Sequence, residues 1–405
     1  MAAPETAPAS PILTESFQED PYPVIHSLRK DDPVHWVPLG FWFVTRHDDI
    51  KYLFACDEAT PDRRFWEFYV PPENELMRRA MDRSIFALEP KDHTRVRKLV
   101  SASLTPRAVA RMEDQIRKVV DTFAAPLHGR TGVVDLMEEF TNPIPNAVIS
   151  RITGVPPGDD EVRFREQAQE TIRGIFAFND PDGMERAGEA FMELAGWVAE
   201  MAGERRKHPQ EDMITDLVQA SDAGQALDDQ EIIMLLTGLI GAGSETTAIG
   251  GMLTLMTVLE APEAMERLRA DRSLLPKAIS EVLRFSFGGP GGLPRYAKRD
   301  FELRGKLIKK GQMLMLSFAG GGRDPAVYSD PDTFDIDRDP KELLTFGSGP
   351  HFCLAANLAR TELRCMLDAA LDFLPKGATF RRDDMEMAPM GFFKRPVTFP
   401  VDFGS

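Results

Sequence analysis

The segment Phe346-Gly347-Ser348-Gly349-Pro350-His351-Phe352-Cys353-Leu354-Ala355 decides the fold of this 405-residue chain. Its two glycines can adopt positive φ and let the backbone approach a flat ligand closely. Cys353 stands where an irregular loop meets a helical pattern, so its sulfur would face free backbone N–H groups and the positive end of a helix. Both features favour a thiolate over a thiol. The spacing F-x-x-G-x-H-x-C therefore predicts a metal-binding thiolate, in preference to the buried apolar role that free cysteines usually have.

A second motif, Ala242-Gly243-Ser244-Glu245-Thr246-Thr247, lies inside the almost wholly apolar segment Ile232–Leu259. Glu245 near the middle of the segment and acidic flanks argue for a core helix and against a membrane span. Glycine beside serine predicts a local distortion of this helix, with room for water or dioxygen. Thr246 would then donate a hydrogen bond and Glu245 would relay protons. The alternative is a salt-bridged Glu245 and a Thr246 hydroxyl bonded to its own backbone.

The two motifs together resemble the cysteine-ligand loop and the A-G-x-[D/E]-T signature of the cytochrome P450 family, although Ala355 stands where most members have glycine. The resemblance implies a mainly α fold with a small β region, and haem b between the long central helix and the cysteine-loop helix. Cys353 would ligate the iron. The implied activity is O2-dependent hydroxylation of a hydrophobic small molecule: a terpenoid, a steroid-like molecule or another apolar compound.

The resemblance also implies residues that bind the two haem propionates. These are His93, Arg97, Arg295 and His351. The fixed fork of an arginine suits a carboxylate. A surface histidine is the competing interpretation for His93.

The resemblance further implies a structural network of Glu281, Arg284 and Arg338, which would support the cysteine loop. Glu281 and Arg284 are three residues apart on one helix face. A surface ion pair is the alternative, and such a pair contributes little to stability.

An apolar substrate pocket is the third expectation from the resemblance. Each of its residues could equally be plain core: Phe86, Ala87, Leu239, Ala242, Leu293 and Phe392. The run Gly288–Gly292 has few side chains and would leave a wide cavity for a bulky terpenoid or steroid-like molecule.

Periodicity predicts helices from Thr105 onwards and a few strands near the two ends of the chain. The predicted strands are Val34–Val37, Phe41–Val44, returning strands within Leu303–Ser317, and Val397–Val401. No linker of Pro, Gly and Ser interrupts the chain, so we expect a disordered tail over residues 1–16 and a single domain over 17–405.

Composition limits the possible partners. The net charge of −16 disfavours nucleic acid. Three cysteines suit a reducing cytoplasm and are too few for a four-cysteine iron–sulfur cluster. Electrons would therefore come from NAD(P)H through a separate ferredoxin reductase and ferredoxin. Candidate contacts for that partner are Lys98, Arg107, Arg360 and Arg364, for which solvated helix charges are the alternative.

Three other functions compete with the monooxygenase. A peroxide-driven peroxygenase typically lacks the acid–alcohol pair, which is intact here. A haem-binding or gas-sensing protein without turnover would not need Glu245 and Thr246. Without haem, a helical lipid-binding protein remains.

Overall fold

The computed structural model describes residues 10–71, 75, 78, 85, 88, 90–101, 103–155, 158–175, 181–220, 229–287, 291–390 and 393–405. Contacts divide the chain into two units. The first unit contains Met1–Pro71 and Ser280–Cys353, and the second contains Pro72–Ile279 and Leu354–Ser405. The single domain inferred from the sequence stays a prediction.

Helices dominate the described residues. They are α1 Glu15–Glu19, α2 Tyr22–Asp31, α3 His47–Ala55, α4 Pro90–Ser101, α5 Pro106–Ala124, α6 Pro143–Thr153, α7 Asp159–Ile175, α8 Pro181–Lys207, α9 Met213–Ala220, α10 Asp229–Leu259, α11 Pro262–Ala270, α12 Leu275–Phe285, α13 Phe318–Gly322 and α14 Ala356–Phe373.

The strands are short. They are β1 Val34–Val37, β2 Phe41–Val44, β3 Ala59–Thr60, β4 Val133–Asp135, β5 Gly292–Ala297, β6 Phe301–Leu303, β7 Lys306–Ile308, β8 Met313–Ser317, β9 Thr379–Phe380, β10 Met387–Met390, β11 Phe393–Pro396 and β12 Pro400–Asp402.

The first unit contains a five-stranded sheet in the order β1-β2-β8-β5-β3. The predicted hairpin of β1 and β2 is confirmed with the same bounds, and its turn has Gly40 at φ +94. The returning strands predicted within Leu303–Ser317 are confirmed as β7 and β8, and β6 overlaps that block only at Leu303. Every residue of β8 is buried, because this strand lies between β2 and β5.

The second unit is mainly helical. α14 runs parallel to α5, since Arg364 pairs with Glu113 and, one turn further along both helices, Asp368 pairs with Arg117. α10 packs against several helices of this unit, which explains why it is apolar on nearly all sides. No helix among the described residues has both the length and the hydropathy that crossing a bilayer requires.

The two chain ends differ from the sequence-based expectation. Within the tail predicted over residues 1–16, the described part is packed, because Ile12 is fully buried and the Thr14 hydroxyl caps α1. The last predicted strand, Val397–Val401, is confirmed only at its end, where β12 begins at Pro400, while β11 ends at Pro396 and belongs to a different sheet. Between them the Phe399 N–H donates to the Asp135 carboxylate, so a side chain takes this backbone group out of strand pairing.

Candidate functional site

The cysteine loop has the backbone conformation that its glycines predict. Gly347 and Gly349 have φ values of +71° and +70°. A Cβ at Gly349 would lie 3.1 Å from both the Phe54 carbonyl oxygen and the Ala55 Cβ, so α3 packs directly on the loop. The Cys353 N–H donates to the Phe346 carbonyl at 2.7 Å, which closes the loop just before α14. Cys353 itself is half-buried.

Arg295 lies in the middle of β5 and is only 5% exposed. Its guanidinium stacks 4.6 Å from the ring centre of Phe54, the residue against which the cysteine loop packs. Its Nη1 donates to the Pro294 carbonyl at 2.9 Å, and no carboxylate of the described residues lies within ion-pair distance. Burial lowers the pKa of Arg295 to about 10. A buried cation of this kind requires an anion, so Arg295 fits a haem propionate.

His93 and Arg97 lie one turn apart on α4, in the second unit. His93 is 3% exposed, and its pKa is lowered first by burial and then by the charge of Arg97. A neutral imidazole can donate one hydrogen bond to a carboxylate. His351 and Cys353 are the other two predicted residues of the cofactor site. Like Arg295, they belong to the first unit.

The structure brings Glu281, Arg284 and Arg338 into one buried network. Arg284 Nε and Nη2 each donate to the Glu281 carboxylate at 2.7 Å, and both side chains are fully buried. Arg338 Nε and the Asp335 N–H donate to Glu281 Oε1, both at 3.1 Å. The remaining Arg284 donors reach backbone carbonyls of Gly322, Pro331 and Thr333. Every charge in the network is therefore paired or hydrogen-bonded.

This network is connected to the cysteine loop through α12. The Thr345 hydroxyl, just before the loop, donates at 2.5 Å to the carbonyl of Leu283, which adjoins Arg284. Loss of the network would therefore displace the carbonyl to which the start of the loop is hydrogen-bonded.

Two hydroxyls mark the centre of α10, which is a continuous helix of 31 residues. The exposed Thr246 donates from Oγ1 to the Ala242 carbonyl at 2.6 Å. The buried Ser244 donates to the Ile240 carbonyl at 2.9 Å. Hydroxyls that bond the carbonyl one turn back weaken and bend a helix.

Glu245 is 7% exposed and forms an ion pair with Arg395. Arg395 Nη1 lies 3.1 Å from Glu245 Oε1. Arg395 belongs to β11, which pairs with β10 in a hairpin. The sequence analysis missed this arginine, because nothing in the C-terminal segment marks it as the partner of an acid on a distant helix.

Of the predicted pocket residues, Leu239 and Ala242 share a half-buried stripe of α10 with the exposed Thr246. Their spacing of three and four residues places them on one helix face. Leu293 lies on β5 and is 36% exposed. Phe86, Ala87 and Phe392 lie outside the described residues.

Glu362 on α14 is a further residue that the sequence analysis missed. It is 3% exposed, and its Oε2 has no hydrogen-bond partner among the described residues. Burial raises the pKa of this carboxyl well above its ordinary value. Cys365 on the same helix belongs to the core, since it is 2% exposed and burial raises its pKa to about 11.

Comparison with known proteins places this geometry in context. The family model described as Cytochrome P450 matches residues 39–374. The chain is 34% identical over 364 residues to a putative cytochrome P450 of Bacillus subtilis (strain 168), covering 88% of this chain and 87% of the relative. It is also 34% identical to the epothilone C/D epoxidase of Sorangium cellulosum, covering 88% and 87%. The structure of epothilone D-bound cytochrome P450epoK is similar at a TM-score of 0.89 and 28% identity, over 100% of both chains.

Proposed function

Because the chain belongs to the cytochrome P450 family of haem monooxygenases, we propose that Cys353 supplies the thiolate ligand of its haem b and that the enzyme oxidises a hydrophobic small molecule. The observation that carries this proposal is the cysteine loop, with both glycines at positive φ and Cys353 just before α14. Arg295 adds a buried guanidinium without a carboxylate partner among the described residues, against the same Phe54.

The bound haem supplies the oxygen chemistry, in which O2 is split and one oxygen atom enters the substrate. The protein's own part is to bind and orient the cofactor. Arg97 and Arg295 would pair with the propionates, with His93 and His351 as hydrogen-bonding partners. The network of Glu281, Arg284 and Arg338 would hold the loop that carries Cys353.

Glu245 and Thr246 would deliver protons. Thr246 Oγ1 can turn from the Ala242 carbonyl, to which it now donates, because the side chain is exposed. The Glu245 carboxylate is held beside Arg395. An acid and an alcohol that are adjacent in sequence can pass a proton by general acid–base catalysis.

The substrate would be a bulky apolar molecule such as a terpenoid, a steroid-like compound or a polyketide. The half-buried apolar stripe of Leu239 and Ala242 on α10 supports an apolar pocket. A relative that is named as an epothilone epoxidase supports the size of the substrate.

A separate ferredoxin, reduced by NAD(P)H through its reductase, would supply the electrons. Lys98 and Arg107 are exposed and available for an acidic partner. Arg364 is a weaker candidate, because its guanidinium already pairs with Glu113 at 2.6 Å.

The CO difference spectrum of the reduced protein tests the proposal. Wild type should show the red-shifted Soret band of a thiolate-ligated haem, and Cys353→His should show the band of a histidine-ligated haem. Cys56→Ser, a half-buried cysteine in the first unit, is the matched control and should leave the band in place. A thiolate band that persists in Cys353→His would mean that another residue binds the iron.

A further inference from the structure

Two polar atoms on α6 are buried without a hydrogen-bond partner among the described residues. They are Asn146 Oδ1 and Ser150 Oγ, on side chains that are 3% and 1% exposed. Asn146 Nδ2 donates to the Asn142 carbonyl at 2.7 Å, which fixes the amide so that Oδ1 is the free end. A buried polar atom left unpaired costs about 1–3 kcal/mol, so each of these atoms requires a partner.

Asn146 lies three residues before Ile149 and four before Ser150, so Asn146 shares one side of α6 with each of them. Ile149 is where this side meets α10. A Cβ at Gly243 of α10 would lie 3.7 Å from Ile149 Cδ1, and one at Gly251 would lie 3.4 Å from Thr141. Later positions on α10 therefore contact earlier positions on α6 and just before it. This antiparallel register places Ser150 level with Ala242, and Asn146 level with Thr246.

Side chains one helical turn apart can share one water molecule, because their Cβ atoms are about 5–6 Å from each other. A water that donates to two oxygens at about 2.8 Å each joins atoms that are about 4–5 Å apart, a separation that two polar ends on neighbouring turns can reach. Buried waters in proteins typically bind such unsatisfied polar groups.

We propose that Asn146 and Ser150 bind one ordered water between α6 and α10, and that this water positions the turn from Ala242 to Thr246. The inference rests on the proposed role of Thr246 in proton delivery. The Ala242 carbonyl accepts a hydrogen bond from the Thr246 hydroxyl, and the Ile240 carbonyl accepts one from the Ser244 hydroxyl in the same part of the helix. Two such bonds weaken the helix ladder at this turn, and a water held by α6 would fix the position of the turn. Asn146 and Ser150 are thus positioning residues that act through the helix backbone.

A crystal structure of the holoenzyme and its thermal stability test the water directly. We expect density for a water between Asn146 Oδ1 and Ser150 Oγ. Ser150→Ala should then lower the melting temperature or leave it unchanged, because the water loses a partner. In a dry site the same change removes an unpaired hydroxyl and raises the melting temperature. Absent density together with a higher melting temperature would overturn the proposal.

Carbon monoxide bound to the reduced holoenzyme is the probe for the positioning role. Thr246→Ala should shift the C–O infrared stretch, and Asn146→Leu and Ser150→Ala should shift or broaden the same band. Thr153→Val is the matched control on the same α6 face, since its buried hydroxyl already donates to the Ile149 carbonyl at 2.7 Å. It should lower stability and leave the band unchanged.

The outcomes separate the two levels of the argument. An unchanged band in Thr246→Ala would contradict the proposed function of Thr246, whereas the water is judged by density and stability alone. A shift in Thr246→Ala without one in Asn146→Leu and Ser150→Ala would overturn the positioning role. An equal shift in Thr153→Val would attribute the effect to general packing and overturn it as well.

Discussion

At the scale of single residues, two buried arginines of the first unit differ in how their charge is met. Arg284 is bound by the Glu281 carboxylate and by three carbonyls. Arg295 has one carbonyl and the face of Phe54. A guanidinium that is fully paired within the protein supports the fold, whereas one without an anion is suited to bind one.

We predict that Arg295→Met loosens haem retention without loss of the folded protein. Methionine keeps much of the buried volume and removes a cation whose burial is costly. The measurement is the rate of haem transfer from the holoenzyme to excess apomyoglobin, which should rise. Arg299→Met, which removes an exposed ion pair with Glu58 after the same strand, should transfer haem at the wild-type rate. Equal rates for Arg295→Met and wild type would contradict a propionate contact.

The network around Glu281 leads to the opposite prediction. Glu281→Ala leaves Arg284 and Arg338 buried without their carboxylate, which costs about 3–5 kcal/mol of stability. That is a large part of the free energy of unfolding of a folded protein, which is roughly 5–15 kcal/mol. Little soluble holoprotein should result, measured as haem per polypeptide and as melting temperature. Glu58→Ala, which breaks the exposed pair with Arg299, is the control and should behave like wild type. Arg97→Ala should have a smaller effect on melting temperature than Glu281→Ala and should mainly lower the retention of haem.

At the scale of elements, α10 and the C-terminal hairpin are tied at the proposed catalytic acid. Arg395 of β11 pairs with Glu245 of α10, and both side chains are mostly buried, at 15% and 9% exposure. A second pair, Arg382 with Glu260, connects the same two parts of the chain at the surface. Burial distinguishes the two pairs, since surface ion pairs contribute little.

We expect the buried pair to couple and the exposed pair to be nearly additive. Glu245→Gln and Arg395→Gln should each lower the melting temperature, and the double variant should lose no more than the worse single one, an interaction of about 0.5–3 kcal/mol. The same cycle on Glu260 and Arg382 is the control, at side-chain exposures of 46% and 54%. Additive losses at Glu245 and Arg395 would mean that the hairpin is held to α10 by other contacts.

At the scale of the whole molecule, the chain carries a net charge of −16, and Glu362 is one of its buried carboxyls. Most acidic side chains of the described residues are solvated or paired with arginine or lysine. Glu362 is instead buried on α14, with its pKa raised by desolvation. A group whose pKa is higher in the folded than in the unfolded state stabilises the protein below its unfolded pKa, and this contribution is lost as pH rises through the folded pKa.

Glu362→Gln should therefore stabilise the holoenzyme increasingly as pH rises from the ordinary carboxyl pKa of 4.5 towards neutrality. Glutamine keeps the size of the protonated acid and cannot ionise. Melting temperatures of the variant and wild type across this pH range test the trend. Glu113→Gln is the control of opposite sign, because hydrogen bonding from Arg364 lowers the pKa of Glu113 and its stabilisation is lost as pH falls. A difference independent of pH at Glu362 would show that it ionises normally in the fold.

The sequence by itself determined the local features of this protein. The glycines at 347 and 349 require positive φ because α3 packs against the loop, and this requirement is visible in the amino-acid types. The first hairpin follows from two apolar runs around a Pro-Leu-Gly turn, and the central helix from an apolar run with few interruptions. The family follows from two motifs at a fixed spacing, so the mainly α fold and the haem cofactor could be predicted.

Only the tertiary structure decided which distant side chains meet and which buried groups lack a partner. Arg395 reaches Glu245, Arg295 lacks an anion among the described residues, and Asn146 and Ser150 bury oxygens that have no hydrogen-bond partner among those residues. None of these features has a local pattern, because a hydrophobic period records which face of an element is buried and not which residue lies opposite. Pairing across elements is set by packing register, and burial then fixes the cost of every unpaired polar atom.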